Sequence, residues 1–314
     1  MNPVLGREVR ERMRTPRAFV ALTAFLLALV LTMFIVYEST TSSGQIRFDL
    51  ARQTRLGRDL FEWVLFIQML LILFLIPGLS AGAVSGERER QTLLPLQVTL
   101  LRPHNVLIGK ILAAISFLVL LIVASLPVTI VAYLLGGIRI TDGLKGVGVL
   151  TLMAVLVATM VVSISTFAKR VQTATLLSYG FVALLALAGP ILFLLLGVID
   201  GSRGSDSANP PAFLLTFNPV TLVADATSGE TVSGVTNPMD AIRRELIRAK
   251  SENDGGWFKV FPDDSFRADF DFLEDNARTG FPAWGLAAGS LGFVALVLFL
   301  LAKRRLRTPA ETER

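Results

Sequence analysis

Enzymatic chemistry needs particular side chains at particular spacings, and this sequence withholds most of them. It has no cysteine and one histidine, His104. Disulfides, thiolate zinc sites, cysteine nucleophiles, iron–sulfur clusters and histidine-based metal clusters are therefore excluded together. His104 stands beside Arg102 and Pro103 in a basic stretch, the setting of a surface residue. Gly109-Lys110 lacks both the earlier glycine and the following Ser or Thr of a phosphate loop, so ATP is not bound by this chain alone. The acidic group Asp263, Asp264, Asp269, Asp271, Glu274 and Asp275 lacks the spacing of a calcium loop; a solvated acidic face accounts for it, and no metal is assigned. No base adjoins a nucleophile within an apolar stretch, so no catalytic residue and no directly bound cofactor are expected.

Two sets of polar residues remain. Gln68, Ser116, Ser125, Ser163, Ser165 and Ser178 lie in otherwise apolar stretches, suited to helix–helix hydrogen bonds or to the polar part of a substrate. Of these, Gln68, Ser116 and Ser163 are the candidates to line a path. The second set is the alternating run Glu87-Arg88-Glu89-Arg90, followed by Thr92 and Leu93. Such a run pairs across a polar interface, with Leu93 and Leu96 filling a groove, or is simply a solvated charged turn.

The elements that carry these residues are set by hydrophobicity. The chain is 53% hydrophobic and 18% charged, against roughly 45–50% and about 25% in soluble domains. Its 30 basic and 25 acidic residues all fall outside six stretches: Ala18–Tyr37, Trp63–Gly86, Ile111–Ile138, Gly146–Ala168, Val171–Ile199 and Thr279–Ala302. Each has the roughly 20 residues that cross a hydrocarbon core as helix, which rules out a soluble globular enzyme. The first is too long for the roughly 7–15-residue core of a cleaved signal and is expected to stay as a span. Ionisable residues inside spans mark proton or sodium sites, and the six stretches contain none.

Orientation follows from the alternate connections, since basic residues in short loops stay on the cytoplasmic side. The N-terminal segment, Glu87–Lys110, Lys169–Arg170 and the tail from Lys303 net +10, whereas the opposite set nets −5. Both termini are thereby expected in the cytoplasm and 200–278 outside it, in a multi-pass protein of the inner or plasma membrane.

Local features refine the segments. In residues 1–17, Asn2 can cap a helix with Pro3 at its first position, and Leu5, Val9 and Met13 share a face. This is an amphipathic helix on anionic lipid, or a basic flank that only sets topology. Gly78, Gly82 and Gly86 follow Pro77 at helical spacing, a face for tight packing within one subunit or, with the proline, for a hinge. Gly285 and Gly289 repeat that spacing, and there intramolecular packing is favoured. Within 200–278, Pro210–Ala226 is apolar enough to dip into the interface. Asn237-Pro238 can start a helix bearing Met239, Ile242, Leu246 and Ile247.

The stretch from Ser85 to Leu93, with Arg102-Pro103 and then Gly109-Lys110, resembles the permease subunits of type-2 ABC exporters, the antibiotic and lipid-export class. Their inner loop reads G-E-R-E-x-G-T-L-E-x-L-L, then a proline, then G-K. Here Gln91 stands at the family's glycine, Leu94 at its glutamate, and Pro95 interrupts. Asn2-Pro3-Val4-Leu5, Thr15-Pro16-Arg17, Pro282-Ala283-Trp284 and the basic close from Lys303 are also similar, so the likeness spans essentially the whole chain.

The resemblance implies an all-α polytopic membrane protein with six transmembrane helices. Helices one to five occupy 18–199, the loop 85–105 couples to an ATPase, 200–278 is extracytoplasmic, helix six is 279–302 and the tail is 303–314. It further implies a separate ATP-binding subunit that holds ATP and Mg, a second permease subunit, identical or related, and the lipid bilayer as partners, with no nucleic acid. Glu87, Arg88, Glu89, Arg90, Thr92 and Leu93 would meet the ATPase. The function expected is an ATP-driven export path for an amphipathic or lipid-like substrate. The alternatives are a secondary transporter or a non-transporting module with a permease-like fold.

Overall fold

In a computed structural model, described over residues 16–41, 50–91, 103–136, 138–202, 217–227, 242 and 283–306, the protein is all helical. The elements are α1 (Pro16–Thr41), α2 (Leu50–Ser80), α3 (Gly82–Glu89), α4 (Pro103–Leu134), α5 (Ile140–Ser165), α6 (Val171–Ser202), α7 (Pro219–Ala226) and α8 (Ala283–Arg305). Six stretches are long and apolar enough to span a membrane: Ala18–Ser39, Leu56–Glu89, Asn105–Leu134, Ile140–Ser165, Val171–Leu192 and Trp284–Arg305. They match the six charge-free stretches in order, and α2 and α3 together make the second.

Several helices overrun the stretches that announce them. α2 begins at Leu50 and carries Arg58, Asp59 and Glu62; α4 begins at Pro103 and carries Lys110. A helix ends where its hydrogen bonds and packing end, and charges are tolerated near an end when they find partners. Glu62, expected at a wetted mouth beside Trp63, is instead 2% exposed. Its Oε1 accepts from Arg58 Nε one turn earlier, at 3.2 Å.

The chain divides into two compact units, Met1–Val182 with Gly292–Arg314, and Ala183–Leu291. In the first, α2 is the central post, touching α1, α4 and α5. Two glycines permit the close approach. A Cβ at Gly57 would collide with the Gly136 carbonyl oxygen beyond α4, and one at Gly146 of α5 would come 2.9 Å from Leu65 Cδ1. Leu60, Met69, Ile72, Ile76, Leu107, Leu121, Leu150 and Met153 fill the space between. Spans two to four are more than half buried within the protein, while spans one, five and six keep most of their apolar surface open.

The second unit is organised around Asn218. Pro190 lies inside α6 and has no N–H for the carbonyl of Ala186, four residues earlier. Asn218 Nδ2 donates to that carbonyl at 3.0 Å, and its Oδ1 accepts the Val220 N–H at 2.8 Å, capping α7. Asp225 of α7 then accepts the Trp284 N–H at the start of α8, at 2.8 Å. Leu222, Val223 and Ala224 are fully buried. Residues 1–15 of the expected amphipathic helix, the helix expected from Asn237 apart from Ile242, the acidic group at 263–275 and the tail from 307 lie outside the described residues.

Candidate functional site

The charged run lies on α3, whose sequence Gly-Ala-Val-Ser-Gly-Glu-Arg-Glu continues the second span after a break at Ala81. Four residues before the break stands Pro77, and Ala81 N–H donates to the Pro77 carbonyl at 3.0 Å. The first amides of a helix have no partner within it, and Ala81 offers no side-chain cap. Ser165, at the end of α5, supplies one: its Oγ accepts the N–H of Val84 at 2.9 Å and of Ser85 at 3.1 Å. Ser85 Oγ donates back to the Ala81 carbonyl at 3.1 Å. Both serines are fully buried.

Beyond this repair, each of the next charged residues reaches a different element. Glu87 Oε1 accepts from Lys110 Nζ of α4 at 2.7 Å. Lys110 is 1% exposed, and a buried ammonium is tolerated only with such a partner. Arg88 donates to the Ala168 carbonyl, in the turn between α5 and α6, at 3.4 Å. Glu89 Oε2 accepts the N–H of Val171, the first residue of α6, at 3.0 Å; a carboxylate at a helix N-terminus also complements its dipole. Arg305 of α8 sits 5.7 Å from the Phe167 ring centroid, a cation–π contact. The end of α3, the starts of α4 and α6, the α5–α6 turn and the end of α8 therefore meet in one place.

α3 then stops. Arg90 N–H returns to the Gly86 carbonyl and Gln91 N–H to that of Arg88, both at 3.1 Å. Gln91 is exposed and has φ of +57°, the only positive φ on a non-glycine among the described residues. Arg90 is exposed as well. Thr92 and Leu93, with Pro95 and Leu96, lie outside the described residues.

The glycine face turns toward α6. A Cβ at Gly82 or Gly86 would lie 3.4 or 3.6 Å from Val171 methyls, and one at Gly78 only 2.9 Å from Tyr179 Oη. Gly289, in contrast, is exposed, and a Cβ there would meet nothing within 4 Å, so it seats no other described helix. Gly285, one turn earlier, is half-buried. Of the three residues considered for a path, Gln68 is buried and donates to Ser125 Oγ of α4 at 2.7 Å. Ser163 is buried and bonds the Thr159 carbonyl at 2.6 Å. Ser116 is on the surface, its hydroxyl turned back to the Ala113 carbonyl.

The sequence pointed at residues 87–90 but not at what they hold. Lys110 stands immediately before the charge-free stretch Ile111–Ile138 and reads there only as part of Gly109-Lys110; a Glu closing one span and a Lys opening the next are on the same end by connectivity, which is the signal that pairs them. Ser165 carries no such signal, being one serine among several.

The family of ABC-2 family transporter proteins matches residues 3–302. No curated protein matches the chain. The match takes in α1 to α7 and most of α8, including the break at Ala81 and the charged run beyond it, and the chain belongs to the ABC-2 family of transporter proteins, as a membrane-embedded transport module.

Proposed function

We propose that the chain is the permease subunit of an ATP-driven exporter, taking its energy from a separate ATP-binding subunit at the Glu87 end. The observation that carries the reading is the fastening of three successive charged side chains to three other elements: Glu87 to α4, Arg88 to the α5–α6 turn and Glu89 to α6. A displacement of the exposed residues Arg90 and Gln91, and of the chain that follows them, is handed to spans three, four and five at once. This assigns the run two tasks. Its last residues meet the ATPase, where ATP and Mg are held, and Glu87, Arg88 and Glu89 carry the movement inward.

The Glu87 end is cytoplasmic in this reading, and a second permease subunit closes the path. The spans have few ionisable groups, and of those near their ends Glu87 pairs with Lys110 and Arg58 with Glu62. An unpaired charge at the bilayer centre costs at least about 2.5–3.5 kcal/mol, so an amphipathic or lipid-like molecule suits the path better than a small ion.

Co-expression with an ATP-binding subunit tests the partnership: a stoichiometric complex that hydrolyses ATP is expected, with no hydrolysis by the permease alone. ATP hydrolysis by the isolated chain would overturn it. Orientation is tested in the cysteine-free chain, where Ser207→Cys and Ser251→Cys should react with an impermeant thiol reagent from outside and Thr308→Cys should not.

A further inference from the structure

α3 continues the second span in sequence, yet its polar attachments lead elsewhere. Between Ser80 and Gly82 the helix is interrupted. Immediately past the interruption, Ser165 Oγ holds the N–H groups of Val84 and Ser85. Gly82 and Gly86 lie in van der Waals reach of Val171, Arg88 bonds the Ala168 carbonyl and Glu89 the Val171 N–H. These four attachments fall within residues 165–171, the end of α5, the turn and the start of α6; a fifth, Glu87 to Lys110, joins α3 to α4. On the α2 side of the break, the Ser85 hydroxyl bonds the Ala81 carbonyl, and Tyr179 of α6 bonds the Gly78 backbone.

We infer that Ser165 is a positioning residue that joins α3 mechanically to spans four and five rather than to span two, so that a stroke on α3 passes sideways through the Ser165 hydroxyl while α2 stays in place about Ala81. The physical basis is the asymmetry of the two connections. A helix interrupted after a proline bends at low cost, because the ladder is already broken there. A hydroxyl accepting two buried amides is costly to detach, because Val84, in the first turn of α3, has no carbonyl within that helix and would be stranded out of water. Movement goes where the joint is soft, and the joint is at Ala81.

The inference rests on the proposed coupling role of the charged end, and the test separates the two. The complex with its ATP-binding subunit, in nanodiscs, is compared without nucleotide and after trapping with ATP and vanadate, by hydrogen exchange of peptides covering 56–76, 82–89 and 166–171. A nucleotide-dependent change at 82–89 accompanied by one at 166–171, with 56–76 unchanged, is expected. No change at 82–89 would defeat the coupling role itself and this inference with it. A change at 82–89 that appears at 56–76 and not at 166–171 would leave the coupling role standing and overturn the inference. Ser165→Ala should speed exchange of Val84 at least tenfold and weaken the nucleotide response at 166–171, which Arg88 and Glu89 then carry without it. Ser165→Thr, which keeps the hydroxyl, should restore both. An Ala variant with an undiminished response would also overturn it. If Ser165→Ala does not assemble, the wild-type comparison decides alone.

Discussion

Two places in the molecule break the helical ladder and mend it with a borrowed side chain, and they do so with opposite chemistry. At the Glu87 end the break leaves amide donors, and an acceptor is brought to them: Ser165 Oγ receives the N–H groups of Val84 and Ser85. At the Asn218 end Pro190 leaves a carbonyl, and a donor is brought to it: Asn218 Nδ2 reaches Ala186. Unsatisfied backbone groups are intolerable in an apolar surrounding, so each break fixes which side chain must answer it. The difference lies in what else is attached. Around α3 the mend is overlaid with charge, including the buried Lys110 and its partner Glu87. Around α7 it is overlaid with apolar packing and the single carboxylate of Asp225 on the Trp284 N–H. Charge pairs hold by geometry and can exchange partners, whereas packed apolar surface holds by area. On the proposed coupling role, movement belongs to the first place and anchorage to the second.

The largest effect should come from the charged end. Glu87→Lys sets two ammonium groups together where Lys110 is 1% exposed, and breaking a buried pair costs about 3–5 kcal/mol. The lower part of that range is expected, since the Glu87 side chain keeps 24% of its surface exposed. Thermal unfolding in detergent should show the loss, and the swapped pair Glu87→Lys with Lys110→Glu should recover most of it. A swapped protein no better than the single variant would mean the pair is not what holds α3 to α4. Lys110→Met, which removes the ammonium and keeps the length, should be milder than Glu87→Lys, because the Glu87 carboxylate it leaves keeps 24% of its surface exposed and faces no like charge at that position.

How these places stand to the sequence differs as well. The six spans were legible because hydrophobicity over some twenty residues is a property of the residues alone. Their ends were less so: Lys110 and Glu62 look like flanking charges until the helices around them show that both are buried. The run at 87–90 was legible as a site through its alternation and its resemblance, but its charges were expected to face a partner, and Glu87, Arg88 and Glu89 have partners within the chain. Which of two partners a charge takes depends on which elements are neighbours, and that is decided by packing far along the chain. Pro210–Ala226 was expected only as an apolar stretch at the interface, with no cap assigned at Asn218, and the bond from Asn218 to Ala186 depends on Pro190, 28 residues away in sequence. Gly57 and Gly146 gave no sign of their tight contacts, since neither belongs to a spaced glycine series.

An intermediate effect is expected at the Asn218 end, and a cycle of variants isolates its cause. Asn218→Ala removes a cap, worth about 1 kcal/mol, and strands the Ala186 carbonyl, at about 1–3 kcal/mol. Pro190→Ala returns an N–H that can serve that carbonyl from within α6. In the Pro190→Ala background, Asn218→Ala should therefore cost at least about 1 kcal/mol less than it does alone. Additive losses would show that Asn218 acts as a cap and nothing more, and would break the parallel between the two mends.

The smallest effect concerns how the two short helices stop, and here the comparison predicts a difference of sign. α3 ends with Arg90 as its cap and Gln91 next, at φ of +57°, with the Gln91 N–H on the Arg88 carbonyl. This is the left-handed position that glycine fills without strain, and at which a side chain costs roughly 1–2 kcal/mol. The energy gained by glycine is partly offset, because glycine gives the unfolded chain more freedom to lose. Gln91→Gly should therefore stabilise by about 0.5–1 kcal/mol, and Gln91→Ala, which keeps a Cβ, should not. α7 ends with Thr227 at φ of −92°, an ordinary conformation, its Oγ1 bonded to the Val223 carbonyl at 2.8 Å. Thr227→Gly gains nothing from relieved strain, loses that bond and adds freedom to the unfolded chain, so it should destabilise. Equal signs in the two melting shifts would mean that the backbone angle at Gln91 is not what sets its cost; opposite signs would tie the strain to the charged end of α3.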